Sequence, residues 1–387
     1  MMSRDSRSRF ADWWWEVDRV ALFAMLALIA IGLMLAFAAS PAATAHNALQ
    51  AGNFRFAAKQ ILFAGIAGVV VMAGSLLGLA QLKKVAAIAF ACALVGLALV
   101  LLTGTEVLGA KRWIDLGLLT IQPSEFLKPS FAVVCAAILS RNSTSPLRKE
   151  LISFLLVIVP LVLLVLEPDV GQTGLLLALW GSMLFLDGIS LVWVGLFSGI
   201  GTALGGLAYL LIPHVHHRVE QFLGGGKPGY QSGLALKAFE HGGLAGVGPG
   251  AGTIKYHIPY AHSDFIFAVA GEEFGLVLCA VIAALFCVLC VRLLLRSASA
   301  TDRFSQLAGS GLALIVGLQA FINMGVAVNL LPAKGMTLPF ISYGGSSLFA
   351  VAVTMAFALA VTRQRPKVVT LSKRDTDLLF GLSEARA

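Results

Sequence analysis

The chain is dominated by apolar blocks that carry no charge over lengths of about 20 residues. Residues 20–39 and 61–80 each lack Asp, Glu, Lys and Arg, and a helix of that length spans a hydrocarbon core of roughly 30 Å. Lipid offers the backbone no hydrogen-bond partner, so such blocks must fold as helices. Only 12% of the 387 residues are charged, which is too few to cover a soluble domain. The predicted fold class is therefore all-α, in a polytopic membrane protein.

A cleavable secretory signal is the alternative interpretation of the first block, because Ala43 and Ala45 resemble the small residues of a cleavage site. The uncharged stretch is longer than a typical signal core, so it is interpreted as a membrane anchor.

Hydropathy predicts about ten transmembrane helices. They cover residues 20–39, 61–80, 85–103, 126–140, 151–166, 170–186, 189–212, 265–291, 307–331 and 346–362. The longest connection, residues 213–264, lies between the seventh and eighth helices. The predicted organisation is a polar tail over residues 1–19, a transmembrane domain over residues 20–362 and a second polar tail over residues 363–387.

The positive charges favour one orientation in the membrane. With the N-terminus inside, 18 of the 28 Lys and Arg residues lie on the inner side, 12 before the C-terminal tail and 6 within it. The positive-inside rule then places both termini in the cytoplasm and the long connection outside. The same distribution accounts for the net charge of +8, so no nucleic-acid partner is expected. The five cysteines lie in apolar blocks and predict packing rather than a disulfide framework.

The connection between the third and fourth predicted helices carries three cations that could bind phosphate. They are Lys111, Arg112 and Lys128, and cationic donors match the oxygens of a pyrophosphate. The alternative is a re-entrant amphipathic turn in which Arg112 pairs with Asp115 and Glu125 pairs with Lys128. From the residues alone, this structural alternative is favoured.

Two further outer connections contain polar residues. Glu167 and Asp169 flank a proline in a tight turn between the fifth and sixth helices. This is ordinary turn chemistry, or else a pair of carboxylates that holds a metal or acts as a base. Residues 331–347 join the last two helices and include Lys334 as a further phosphate contact. Their alternative role is a re-entrant loop turned by proline and glycine.

The long outer connection contains histidines and a glycine-rich run. Zinc binding by His214, His216 and His217 is disfavoured, since no Cys or close carboxylate completes a site. The glycines of residues 242–252 allow backbone N–H groups to approach a phosphate, or they form a flexible or tightly turned loop.

Asp264 is the strongest single candidate for a functional residue, because it lies where the long connection enters the eighth helix. One interpretation is a helix N-cap, which Asp fills well. The other is a general base that takes the proton of an incoming hydroxyl group. Glu272 and Glu273 follow about two turns deeper. Their like charge is expected to raise the pKa of Asp264, and they are expected to need partners such as Arg218 or Lys334.

These blocks, in this order and on these connections, resemble the SEDS family of bacterial cell-wall proteins. The resemblance extends over nearly all of residues 19–362, and it is carried by residues 112–113, 168–171, 262–265 and 342–347. It implies ten membrane helices. Residues 246–250 with Lys255, and residues 332–337, are more similar to the division branch than to the elongation branch.

The resemblance implies a peptidoglycan glycosyltransferase that polymerises lipid II on the outer face of the bacterial inner membrane, at the division septum. The acceptor's GlcNAc 4-hydroxyl would attack C1 of the donor's MurNAc, with inversion to a β-1,4 bond and departure of undecaprenyl pyrophosphate. Asp264 matches the family's catalytic aspartate and is assigned as the base. The residues expected to bind the substrate are Lys111, Arg112, Lys128, Asp169, Arg218, Lys255, His262, Glu273, Lys334 and Ser342.

The resemblance also implies partners. A class B penicillin-binding protein would supply transpeptidation, and for the division branch this is FtsI, together with other divisome proteins. A divalent cation, Mg²⁺ or Mn²⁺, is plausible for the pyrophosphate, although no residue is identified as its ligand.

The chain departs from the family pattern at two positions. Tyr260 stands where a carboxylate is common, so that carboxylate is not essential in a working enzyme of this sequence, and Leu234 stands where Gln is common. Three other functions stay open: a lipid II flippase, a non-enzymatic divisome scaffold and an ion-coupled transporter. A flippase would tolerate Asp264→Asn better than a polymerase.

Overall fold

The computed structural model describes residues 9–44, 54–107, 110–115, 117, 120–141, 145–211, 216, 220, 230–332 and 335–363. Its helices, in chain order, are α1 Arg9–Glu16, α2 Arg19–Thr44, α3 Arg55–Ser75, α4 Leu79–Thr103, α5 Pro123–Leu139, α6 Pro146–Leu166, α7 Val170–Asp187, α8 Leu191–Leu211, α9 Tyr230–Gly242, α10 Ile266–Ala298, α11 Arg303–Ala327 and α12 Gly345–Thr362. Three short strands, β1 Thr105–Val107, β2 Ala110–Asp115 and β3 Thr120–Ile121, pair antiparallel in chain order.

The chain divides into two units. The transmembrane unit is Asp18–Thr362, and the terminal unit combines the two chain ends, of which residues 9–17 and 363 are described. Within the terminal unit, Arg363 Nε lies 3.0 Å from Glu16 Oε2.

The predicted fold class is confirmed, since all ten predicted spans coincide with helices. Among the described residues, eight helices are long and apolar enough to cross a membrane: α2, α3, α4, α6, α7, α10, α11 and α12. The other two predicted spans are α5, with 17 residues, and α8, with 21 residues. The prediction was wrong about some ends, because it followed only the uncharged blocks. Helix α3 begins at Arg55, not at residue 61, and α10 continues to Ala298 beyond residue 291.

Helices α11 and α12 form the centre of the bundle. The buried share of the spanning window is 67% in α11 and 83% in α12, against 22% in α6. Both central helices are rich in Ala, Gly and Ser, and such small side chains allow helices to approach closely in a membrane. Polar side chains on α11 are therefore directed at neighbouring segments.

Helix α10 is interrupted near its outer end at Gly275. This residue has φ 75° and ψ −177° inside the helix, a conformation that favours glycine. The glycine-rich segment after α9 supplies hydrogen bonds on both sides of the break. The bonds run from Leu276 N to Gly243 O at 3.0 Å, from Val277 N to Leu244 O at 3.3 Å, from Val247 N to Glu272 O at 3.0 Å and from Gly248 N to Glu273 O at 3.0 Å. The loop thus replaces bonds that the break removes from the helix, as a lipid-embedded backbone requires.

The opposite end of the bundle carries buried carboxylates that pair with cations of the predicted inner side. Asp18 lies 2.8 Å from Arg292 Nε and 2.6 Å from Arg296 Nε, and its side chain is 0% exposed. Asp187, at the end of α7, pairs with Arg303 at 3.2 Å. The Asp18 pairs join the start of α2 to the end of α10, and the Asp187 pair joins the end of α7 to the start of α11.

The break at Gly275 predicts a strong difference between two glycine substitutions. Gly275→Ala is expected to lower the free energy of unfolding by about 2 kcal/mol or more, since the new Cβ would lie 2.2 Å from Leu244 O at a positive φ. Gly181→Ala in α7 is the matched control, because its Cβ would meet nothing within 4 Å. Thermal unfolding of the purified protein in detergent measures both. Equal melting temperatures for the two variants would contradict the prediction.

Candidate active site

The four outer segments identified in the sequence meet at one end of the bundle. The loop after α11 contacts the entrance of α10, where Tyr343 N donates to His262 O at 3.0 Å and Ser342 Oγ donates to Ser263 O at 2.5 Å. The β2 strand contacts the turn between α6 and α7 through Arg112. Helix α11 reaches both regions, as described below. The four segments are therefore connected to each other by polar contacts, many of them buried, at one end of the bundle.

Asp264 lies two residues before α10 and is half-buried. The N-cap interpretation is wrong, because the N-cap position of α10 is Phe265, which makes no side-chain capping bond. Burial raises the pKa of Asp264 to about 6, against a smaller lowering by a hydrogen bond with the Ser263 side chain. The carboxylate is therefore ionised near neutral pH and a stronger base than an exposed aspartate.

The segment that follows the glycine-rich run binds a carboxylate of the chain itself. Glu272 accepts bonds from the backbone N–H groups of Thr253 and Ile254, both at 2.7 Å, and of Lys255 at 2.9 Å. His241 Nδ1 lies 3.1 Å from the same carboxylate. These N–H groups follow the glycine run, and within the run Gly250 N donates to Glu273 Oε2 at 3.0 Å. Phosphate binding by the glycine run stays a prediction.

Lys255 and Glu273 form a fully buried ion pair. Lys255 Nζ also donates to Ala38 O at 2.8 Å. The expected partners of the two glutamates, Arg218 and Lys334, lie outside the described residues, and the structure shows Lys255 and His241 in that role. Burial, and not the charge of Glu272 or Glu273, accounts for the raised pKa of Asp264. Substrate binding by Lys255 and Glu273 stays a prediction.

His262 and Ser342 line the side of the site next to α3 and the last loop. The His262 ring lies 5.0 Å from that of Phe56 and 5.7 Å from that of Tyr343, measured between centroids. Burial lowers the pKa of His262, so the imidazole is neutral at pH 7. Ser342 Oγ accepts from Leu338 N at 2.7 Å as well as donating to Ser263 O. Ser342 thereby joins the last loop to the segment that carries Asp264.

Arg112 is held by the turn between α6 and α7. Its guanidinium donates to Pro168 O and lies 3.9 Å from Asp169 Oδ2. The alternative pairing of Arg112 with Asp115 is wrong, since Asp115 Oδ1 instead accepts from Gly117 N at 2.8 Å. Asp169 is the N-cap of α7, which confirms its turn chemistry.

Burial changes the charge of the carboxyl groups beside Arg112. The pKa of Glu167 is raised to about 8, chiefly by burial and also by the Asp169 charge, against a lowering by Arg112. Burial also raises the pKa of Asp169, although Arg112 and the N–H of Gln172 lower it. Glu167 therefore keeps its proton at neutral pH, and Asp169 is the carboxylate that faces Arg112.

The pairing of Glu125 with Lys128 is confirmed. Lys128 Nζ lies 2.7 Å from Glu125 Oε2 and 3.0 Å from Gln319 Oε1, with both charged side chains almost fully buried. Gln172 Nε2 donates to Glu125 Oε1 at 2.5 Å, and Gln319 Nε2 donates to Thr337 O at 3.2 Å. This network connects α5, α7, α11 and the last loop.

The remaining predicted substrate-binding residues are Lys111, Arg218 and Lys334. Lys111 is exposed on β2, so it is free to reach a ligand. Arg218 and Lys334 lie outside the described residues, as do His214 and His217. Across the described ranges, no group of three or more His, Cys, Asp or Glu side chains lies together as metal ligands would. A resident metal site is therefore not supported by the donor set of these residues.

Two residues next to Asp264 were not predicted as site residues. Asn323 on α11 donates to Asp264 O at 2.9 Å, and a Cβ at Gly335 would lie 3.3 Å from Asp264 Oδ2. Asn323 lies on the ninth predicted span, where an inward-facing amide indicates only a polar neighbour. The sequence gives no signal for which carbonyl it binds.

The buried pair predicts non-additive stability effects. Lys128→Met is expected to lower the free energy of unfolding by about 3 kcal/mol or more, because it leaves the Glu125 charge buried without its partner. Glu125→Gln in the same chain should recover part of this loss. Melting temperatures of the two single variants and the double variant form a double-mutant cycle. Losses that simply add would show that the two charges do not depend on each other.

Comparison with known proteins confirms the family resemblance. Residues 19–367 match the sequence profile of the FtsW/RodA/SpoVE family, described as cell cycle proteins. A Caulobacter vibrioides relative named as a probable peptidoglycan glycosyltransferase FtsW is 37% identical over 366 residues, covering 94% of each chain. A relative of the same name from Nitrosomonas europaea is 33% identical and covers 89% of this chain and 92% of its own.

Solved structures agree with the sequence relatives. The rod shape determining protein RodA of Thermus thermophilus matches with a TM-score of 0.68 and 25% identity, over 91% of this chain and 99% of that one. A chain from a peptidoglycan synthase complex matches with a TM-score of 0.73 and 27% identity, over 89% and 97% of the two chains. The chain therefore belongs to the FtsW/RodA/SpoVE family of cell cycle proteins.

Proposed function

We propose that this chain is a peptidoglycan glycosyltransferase that polymerises lipid II into glycan strands, with Asp264 as its general base. Relatives named as FtsW glycosyltransferases are up to 37% identical and cover most of the chain. The observation that carries the mechanism is the half-buried Asp264 carboxylate, placed between two outer segments just before a membrane-spanning helix.

The proposed reaction needs one proton acceptor. Asp264 takes the proton from the acceptor's GlcNAc 4-hydroxyl while that oxygen attacks C1 of the donor's MurNAc. The bond from C1 to the pyrophosphate oxygen breaks, and undecaprenyl pyrophosphate leaves with its electron pair. Attack from the opposite face inverts C1 and gives a β-1,4 bond. Asp264 is suited to this step because burial raises its pKa to about 6, close to a neutral working pH.

The cationic side of the site is proposed to hold the pyrophosphate. Lys111 is exposed and Arg112 is 29% exposed in its side chain, so both present donors to solution. Lys128 lies deeper and already binds Glu125 and Gln319. A divalent cation, if it takes part, would draw its ligands chiefly from the pyrophosphate, since the described residues supply no three-ligand group.

A penicillin-binding protein is the proposed partner. A similar chain was solved in work on polymerisation and crosslinking by a peptidoglycan synthase complex, which supports a crosslinking partner for this family. Relatives named FtsW support the division branch, for which the partner is the class B protein FtsI. The proposed location is the inner membrane at the septum, with both termini in the cytoplasm and the site outside.

The base assignment predicts the outcome of one substitution. Asp264→Asn is expected to reduce lipid II polymerisation by about 10³-fold or more, because the amide cannot accept the proton. The assay follows glycan strands made by purified chain with its cognate penicillin-binding protein. Asp115→Asn, an exposed carboxylate of the same outer face, is the matched control and should retain native activity.

The possible outcomes separate the competing functions. Equal product from native chain and a folded Asp264→Asn variant would remove Asp264 from the mechanism. No product from either, together with transfer of lipid II across vesicle membranes by both, would favour the flippase over the polymerase.

The raised pKa of Asp264 predicts an acid limb in the pH profile. The base works when ionised, and its pKa is about 6, so the rate should fall tenfold per pH unit below about pH 6. An exposed aspartate, by contrast, would keep the rate constant down to about pH 4. The measurement is kcat/KM for lipid II over about four pH units, from about pH 4.5 to about pH 8.5. An unchanged rate at pH 5 would exclude a base with this pKa.

A further inference from the structure

Asn323 connects the two segments that border the candidate base. It lies on α11, one turn after Gln319, and is 2% exposed. Its side-chain Nδ2 donates to Asp264 O at 2.9 Å and to Met336 O at 2.6 Å. One amide group therefore holds the main chain of Asp264 on one side and the loop after α11 on the other.

The loop segment held by Asn323 runs directly beside the carboxylate. A methyl group at position 335 would lie 3.3 Å from Asp264 Oδ2, so the backbone of Gly335 is in contact range of the carboxylate. Met336, the next residue, is 3% exposed and provides the second carbonyl for Asn323. The segment of Gly335 and Met336 thus lies along one side of Asp264.

The orientation of the Asn323 amide is set by its two acceptors. Only the NH₂ group can donate to both carbonyl oxygens, and this leaves Oδ1 facing away. Within the described part of the chain, that buried Oδ1 has no hydrogen-bond partner. A buried polar atom without a partner is costly. An apolar side chain of the same size would avoid that cost, but it would leave the carbonyl oxygens of Asp264 and Met336 without this donor.

We propose that Asn323 is a positioning residue of the glycosyltransferase. Its NH₂ group holds Asp264 and the segment 335–336 at a fixed separation, and this sets both the direction and the proton affinity of the Asp264 carboxylate. The inference rests on the proposed function. Asn323 is not expected to contact the reacting atoms, so its loss should affect kcat more than KM.

The test uses the full chain with its cognate penicillin-binding protein and lipid II. Asn323→Leu removes both donors at similar volume and should lower kcat about 10- to 100-fold, the effect of a small displacement of a catalytic group. KM for lipid II should stay within about threefold of native. The acid limb of the pH profile should move, because the surroundings of the base have changed. Asn323→Ser keeps one donor and should give an intermediate rate.

Thr354→Val is the matched control. Thr354 is 1% exposed in the central α12, and its hydroxyl donates only to Ala350 O within the same helix. The Thr354→Val substitution removes a buried hydroxyl donor at similar side-chain volume, away from the site. It should leave kcat and the pH profile unchanged.

Three results would overturn the inference. The first is a native kcat in Asn323→Leu. The second is a loss of activity that equals the loss of folded protein, with the acid limb of the pH profile unmoved. The third is an equal effect of Thr354→Val. If Asn323→Leu does not fold, the same criteria apply to Asn323→Ser. These results leave the polymerase assignment intact, whereas absence of glycan strands from the native chain would reject the proposed function itself.

Discussion

The ion pair between Lys255 and Glu273 is the contact on which the outer end of the molecule depends. Both side chains are 0% exposed, and a buried charge is tolerated only with a partner in good geometry. Because Lys255 also donates to Ala38 O at 2.8 Å, this one ammonium group fixes the outer loop against both α10 and α2. Glu272, the neighbour of Glu273, accepts hydrogen bonds from three backbone N–H groups of the same loop. Asp264 lies only nine residues after Lys255 along the chain.

Helix α11 couples the two halves of the candidate site. Gln319 contacts Lys128 and Thr337 on the cationic side, while Asn323, one turn later, contacts the main chain of Asp264. A transfer reaction of this type needs a region that holds a leaving pyrophosphate and a separate region that accepts a proton. A rigid central helix that binds both regions keeps their separation constant, which is a condition for productive orientation.

The sequence predicts the helices well because their signal is local. A long uncharged block in lipid has no alternative to a helix, and all ten predicted spans coincide with helices of the structure. The β1–β3 sheet was not predicted, since its strands are only two to six residues long and lack a clear alternation. The broken helix was missed as well. Gly275 in the sequence is one glycine among 40, and its role depends on a loop about 30 residues earlier.

The sequence predicted which segments form the site but not which charged side chains pair with each other. The sequence indicated that Glu273 needs a cation, yet the choice among Arg218, Lys334 and Lys255 depends on how the loop folds back on α10. The expected pairs within one segment show the same limit. Glu125 and Lys128 are three residues apart on one helix face and do pair at 2.7 Å. Arg112 and Asp115 lie on a strand, where a spacing of three places side chains on opposite faces, and Arg112 binds the neighbouring turn.

The depth of Asp264 in the membrane boundary determines whether it can work as a base. Burial raises the pKa of Glu167 to about 8, so that carboxyl keeps its proton at neutral pH and cannot accept another. The pKa of Asp264 is raised only to about 6, which leaves it ionised but more basic than an exposed aspartate. A fully buried carboxyl without a cation or N–H donors would retain its proton, and an exposed position would weaken the base. The half-buried position of Asp264, just before α10, lies between these limits.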